Sequence, residues 1–243
     1  GASGVTFRIV TTTTWSAGDA QASHLYTYAV DVGSGAAGAT RGDGVGLTPL
    51  GSLSGLAPGE RVYAVRFMGE RLYVVTFRQV DPLFVIDLTV PAAPVLLGEL
   101  KVPGYSDYLH PVNRTHLIGI GKDATDQGRV LGMKMALFDA SNPTAPAESY
   151  SITLGDRQTH SSALDDHRAF AYDAERRLLT LPVRLYLASV CPCESGRSYG
   201  TGCSSWPDVV WQGAVVWRVG EASFELQGMV PHYDPSAARA PPD

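Results

Sequence analysis

Residues 59–88 read GERVYAVRFMGERLYVVTFRQVDPLFVIDL, and this run decides the fold class. Val62–Met68 and Leu72–Arg78 alternate apolar with polar residues, are rich in Val, Tyr and Phe, and are separated by Gly69-Glu70-Arg71. That pattern predicts an antiparallel hairpin. Leu83–Leu88 predicts a third strand, and Val95–Val102 a fourth after the Pro-bounded connection Thr89–Pro94. Four short consecutive strands make one blade of a β-propeller.

The same unit recurs. The third strand of successive repeats ends Ala29-Val30-Asp31, Val85-Ile86-Asp87 and Leu137-Phe138-Asp139, and more loosely Val216-Trp217-Arg218. Two of them run into similar turns, Asp87–Pro94 and Asp139–Pro146, each with Pro at the fifth and eighth positions. A period of roughly 40–55 residues is that of a propeller. The chain is therefore expected to be all-β, with about four blades over 5–56, 60–103, 106–156 and 162–232. The first blade takes Val5–Thr14, His24–Val32 and Leu47–Leu53. The third takes Tyr108–Val112, His116–Lys122, Met133–Phe138 and Glu148–Leu154. The fourth takes Ala163–Tyr172, Leu178–Ala188, Gln212–Val219 and Phe224–Val230. The Asp closing each third strand suits an Asx-turn, its carboxylate accepting backbone N–H groups from the turn that follows.

Composition narrows the partners. With 44% hydrophobic and 18% charged residues the chain can fill a core, so disorder is not expected for most of it. A net charge of −5 and the lack of any basic run argue against nucleic acid. No apolar run reaches the ~18 residues of a spanning helix. The chain begins at Gly1, which fits a removed leader or an internal piece of a longer protein.

Residues 189–210, SVCPCESGRSYGTGCSSWPDVV, interrupt the fourth blade and hold Cys191, Cys193 and Cys203. A bridge across the single residue between Cys191 and Cys193 is geometrically poor. Cys203 with Cys193 or Cys191 is better, worth ~2–3 kcal/mol when oxidised. The third thiol would pair outside the chain or stay free. Three clustered Cys without a nearby His fall short of a four-ligand zinc set. The Gly- and Ala-rich run 33–46 reads as a surface loop containing Arg41-Gly42-Asp43, a three-residue match to an adhesion motif that chance readily supplies. Residues 233–243 are polar and Pro-rich, like a linker.

Long words of this sequence, GERVYAVRFMGERLYVVTFRQVDPLFVIDL (59–88), LGELKVPGYSDYLHPV (97–112), HLIGIGKDATDQGRVLGMKMALFD (116–139), ALDDHRAFAYDAERRLLTLPV (163–183) and QGAVVWRV (212–219), resemble a known family. It is the secreted β-propeller domain family of bacteria and archaea, distantly related to WD-repeat propellers. The resemblance implies a propeller outside the cytoplasm, with these four blades forming the later part of a larger domain. It brings no catalytic residues, because the family has no settled activity. The Cys-bearing insertion departs from the family pattern.

Candidate chemistry is sparse. If first strands line a channel, Arg66, Asp107, His110, Asp166 and His167 are its polar residues. Asp166-His167 is suggestive because a carboxylate tunes an imidazole, yet neighbours in a strand point to opposite faces. A turn-stabilising network is the plainer expectation. Asp123 and Asp126 in Lys122–Gly128 make a weak calcium candidate, lacking the alternating carboxylates of a dedicated loop. No other cofactor is indicated. Arg78, Gln79 and Asp81 suit a buried pair that fixes their loop. Asn113-Arg114-Thr115 is an N-glycosylation sequon at a predicted turn, usable in a eukaryotic secretory context.

These readings converge on a noncatalytic extracellular or cell-surface propeller, structural or binding protein or glycan partners, within a larger surface protein. The alternative is a secreted hydrolase or lyase working at the channel mouth through His110, His167, Asp166 and Asp107.

Overall fold

A computed structural model describes residues 5–13, 22–32, 45–77, 81–125, 127–187 and 209–232. They form four antiparallel sheets, each a meander in chain order. The first has three strands among the described residues, β1 (Val5–Thr12), β2 (Ser23–Val32) and β3 (Val45–Leu56). The others have four each. The second holds β4 (Arg61–Met68), β5 (Arg71–Phe77), β6 (Asp81–Asp87) and β7 (Val95–Val102). The third holds β8 (Tyr105–Pro111), β9 (His116–Ala124), β10 (Val130–Asp139) and β11 (Ala147–Leu154). The fourth holds β12 (Ala171–Asp173), β13 (Leu178–Tyr186), β14 (Val209–Val219) and β15 (Phe224–Pro231). This is the all-β, bladed architecture expected from the strand pattern.

The chain divides into two compact units. One comprises Gly1–Val102 with Ala140–Pro146, the other Pro103–Asp139 with Ala147–Asp243. In the first, Leu25 and Leu56 of one sheet pack with Leu72, Val74, Phe84, Ile86 and Leu88 of the next. The alternation read in 72–78 does not translate into one wet face, for Leu72–Thr76 is buried throughout. This inner strand is buried on both sides, so it has no solvent side for an alternating pattern to show, whereas the outer strand β4 keeps exposed positions.

The Pro-containing turns interlock with glycines of the preceding repeat. A Cβ on Gly51 of β3 would lie 2.5 Å from the Ala92 carbonyl oxygen and 2.8 Å from that of Pro91. One on Gly98 of β7 would lie 2.7 Å from the Pro143 oxygen and 2.8 Å from that of Thr144. Neither glycine has positive φ, so close approach of backbone, not conformation, requires them. The buried Thr27 hydroxyl spans the first interlock, donating to Gly51 O and Pro91 O. Both turns close alike, by Ala93 N–H to Val90 O at 2.9 Å and Ala145 N–H to Asn142 O at 3.1 Å. The Asx-turn expectation holds at Asp87, whose Oδ1 accepts Thr89 N–H at 3.0 Å and the Thr89 hydroxyl at 2.6 Å.

In the second unit Ile118, Ile120, Met133, Met135 and Leu137 of the third sheet share a core with Leu179, Leu181, Val183, Val215 and Trp217 of the fourth. One expectation fails here. Ala163–Tyr172 is not a strand; only Ala171–Asp173 pairs, preceded by two short 3-10 turns, Ser162–Leu164 and His167–Ala169. Ser161 Oγ accepts Ala163 N–H at 3.2 Å and Asp166 Oδ1 accepts Arg168 N–H at 3.0 Å. These short polar side chains offer the backbone local partners, and local bonding wins over the ladder. No helix among the described residues is long and apolar enough to cross a membrane.

Candidate functional site

The polar residues singled out from sequence fall mainly in the second unit, and the fold sorts them into two groups. Tyr108 and His110 are two apart on β8 and share a face. Their rings meet those of the turn that replaces most of the expected strand and of the short strand β12 that follows it. Tyr108 stacks on His167 at 6.2 Å between ring centres, and His110 lies 4.7 Å from Phe170 and 5.4 Å from Tyr172. Phe170, which is buried, also touches Tyr108 at 5.0 Å. Tyr108 Oη is 3.2 Å from His110 Nδ1. His110 and His167 thus converge on one tyrosine ring, in an aromatic cluster whose His167 edge is exposed. Burial pushes the Tyr172 hydroxyl above its ordinary range.

Asp166 is engaged chiefly by Arg168, with His167 adding a smaller charge interaction. Its carboxylate takes Arg168 Nε and Nη2 in a forked pair at 2.9–3.1 Å, which with the Arg168 backbone N–H holds it below the usual range. The pairing is not governed by strand alternation as the sequence suggested, because Asp166 caps a 3-10 turn.

The second group surrounds Asp107, which occupies the β-bulge between Ser106 and Tyr108 where β8 slips against β9. Burial pushes its carboxyl up to about 6; Lys122 pulls it down and Asp165 pushes it further up. Burial lowers the Lys122 ammonium, opposed by Asp107, Asp156 and Asp165. Lys122 Nζ also donates to the Thr159 carbonyl. Asp165 in turn lies 2.8 Å from His160 Nε2. His160 is fixed by a two-way backbone bridge to Arg184, at 3.0 and 2.8 Å. A cleft of about 140 Å³ opens beside it, lined by His160, Ser162, Pro182, Arg184, Gln212 and His232 among others. None of Asp107, His110, Asp166 and His167 lines that cleft.

Sequence reading missed His160 and Asp165. The sequence pattern points instead to the adjacent Asp166-His167, because it predicts a strand where turns set the directions. The other nominated residues that are described lie as follows. Asp123 Oδ1 accepts Ala124 N–H at 3.0 Å and Oδ2 the Thr153 hydroxyl at 2.7 Å, bracing one strand end against another. Arg66 sits on β4 opposite Tyr73. Asn113 is exposed in the turn joining β8 to β9, its Oδ1 accepting N–H groups of Thr115 and His116 at 2.8 and 2.9 Å. Asp126, Arg78, Gln79, the side chain of Asp81, the three cysteines, Arg41-Gly42-Asp43 and the 233–243 tail lie outside the described residues. No group of three or more His, Cys, Asp or Glu among the described residues is placed to hold a metal ion.

Comparison with known proteins agrees with this architecture. An uncharacterised protein of Methanocaldococcus jannaschii is 46% identical over 138 residues, 56% of this chain and 21% of that protein. An uncharacterised protein of Archaeoglobus fulgidus is 40% identical over 136 residues, again 56% of this chain and 21% of its own length. The chain thus matches about a fifth of the length of these curated relatives. The model of the beta propeller domain family matches residues 3–241, nearly end to end, and the chain belongs to that family.

Proposed function

We propose that this chain is a noncatalytic section of a larger extracellular or cell-surface protein, serving as a structural or protein- or glycan-binding module. The observation that carries the reading is the Tyr108–His110–His167–Phe170–Tyr172 cluster. Its two imidazoles are arranged against rings, and Asp166, the carboxylate next to His167 in sequence, is taken by Arg168. Partly exposed rings with polar tips suit stacking on a sugar or an aromatic side chain. Export is supported by the resemblance of the long sequence words and, in a eukaryotic secretory context, by the exposed sequon turn at Asn113. A disulfide of Cys203 with Cys193 or Cys191 would fit the same compartment.

The test is direct. The native protein should appear in the extracellular or surface fraction. A glycan array and a surface-protein pull-down should yield ligands whose binding falls at least tenfold in Tyr172→Ala and in His167→Ala. Recovery of the protein from the cytosol alone defeats the location, and unchanged binding in both variants defeats the site.

One observation favours a second reading. Asp107 near pH 6 and the His160–Asp165 contact beside a cleft are groups a hydrolase or lyase would use. Turnover of a polysaccharide or ester panel, lost in His160→Gln and in Asp107→Asn, would replace the binding proposal. A panel without turnover removes this second reading.

A further inference from the structure

All four sheets slip at the same place between their last two strands, which aligns the repeats residue by residue. The shift falls at Thr27/Tyr28, Val85/Ile86, Leu137/Phe138 and Val216/Trp217. Opposite the first residue of each pair stand Gly51, Gly98, Tyr150 and Gly228. At Gly51 and Gly98 the space of the missing side chain is filled by the Pro-containing turn of the following repeat. The repeat that follows Tyr150 has instead the short turn Gly220–Ser223, without proline, closed by Gly220 N–H to Ser223 O at 2.9 Å. There the Tyr150 ring packs on Phe224 at 6.0 Å. Glycine in the last strand thus goes with a proline turn in the next repeat, and tyrosine with a short one.

Gly228 has the glycine but not the turn. Among the described residues nothing lies within 4 Å of a Cβ built on it, and its φ is not positive. Among the described residues neither conformation nor local packing explains the glycine, which weakens a strand by leaving nothing to pack.

We propose that Gly228 in β15 is the docking seat for a further blade, received through a turn of the Asp-x-x-x-Pro-x-x-Pro kind between its last two strands. The two turns of that kind in this chain are already seated, Pro91 on Gly51 and Pro143 on Gly98, so a second copy has none to offer. The corresponding residues 33–44 of the first repeat contain no proline. The occupant is therefore another blade, and the curated relatives have ample length for one. This rests on the reading of the chain as part of a larger protein and gives that reading an attachment point.

Two measurements decide it. In the 243-residue chain, Gly228→Leu should leave the melting temperature within about 2 °C, whereas Gly51→Leu and Gly98→Leu should lower it by about 5 °C or more. A drop for Gly228→Leu as large as the other two means that the chain already fills the seat, and overturns the proposal. In the native protein, a benzoylphenylalanine at Val230, two residues along β15 and exposed, should crosslink to a peptide with the Asp-x-x-x-Pro-x-x-Pro sequence, at a yield cut several-fold by Gly228→Leu. A crosslink to any other sequence, no crosslink, or an unchanged yield overturns it. The mass of the native polypeptide separates the two ideas. A long chain without the crosslink removes the seat alone, and a 25.9 kDa species removes the larger-protein reading.

Discussion

The carbonyl oxygen of Ala92 stands where a side chain on Gly51 would begin, 2.5 Å from its Cβ position. Backbone cannot yield as a flexible side-chain tip can, so even one methyl group must push the turn away. Gly51→Ala and Gly98→Ala should each lose about 1–3 kcal/mol in urea unfolding. Midpoints equal to the parent's would sink the interlock.

Thr27 tests the same contact from the other side. Its hydroxyl is fully buried and donates across to the Pro91 carbonyl. Thr27→Val keeps the shape, removes the donor and leaves that carbonyl unsatisfied. About 1–2 kcal/mol should be lost, with faster hydrogen exchange at Ala93, whose N–H closes the turn. Unaltered exchange there would show that the hydroxyl does not hold the turn.

Lys134 is a buried cation in the middle of β10, 8% exposed. Its ammonium donates to the Pro103 carbonyl at 3.0 Å and lies 2.8 Å from Glu148 Oε2, a charge contact off the hydrogen-bond axis. Glu148→Ala leaves the cation without its counter-charge and should cost about 2–4 kcal/mol. Lys134→Met with Glu148→Ala should recover at least half of that loss, as a double-mutant cycle would show. An equal loss in the double variant would assign the effect to packing.

Asp107 gives a pH signature. Its carboxyl titrates near 6 in the fold against an ordinary 3.8. Between those values the unfolded chain has lost a proton that the folded chain keeps, so stability present at low pH falls as pH rises through the window. Above it the loss is complete. Asp107→Asn should therefore raise stability by about 1–2 kcal/mol at pH 8, allowing for solvent screening, and change little at pH 3.5. Equal effects at both pH values would rule out the buried carboxyl as the cause.

The strands of the second and third repeats were legible because Val, Ile, Tyr and Phe cluster at strand length and are punctuated by Gly and Pro. The turn at Asp87 was legible too, since an Asx-turn needs only neighbours in sequence. The first strand of the fourth repeat was not. Ser161 and Asp166 satisfy local N–H groups, and nothing in the composition of 163–172 announces that they outcompete a ladder. The site suffered accordingly, for a strand would have set Asp166 and His167 back to back, while the turns give Asp166 to Arg168 and Asp165 to His160.

By itself the sequence determined that this is a repeated all-β chain, where its strands lie, and that its proline turns recur, because those properties depend on short-range periodicity and backbone preference. Only the tertiary structure decided which carboxylate meets which base, why the Asp107 carboxyl is pushed up to about 6, and what the glycines are for. Gly51 and Gly98 show no side chain to read, and their meaning is a backbone about forty residues away in sequence pressing into the space they leave.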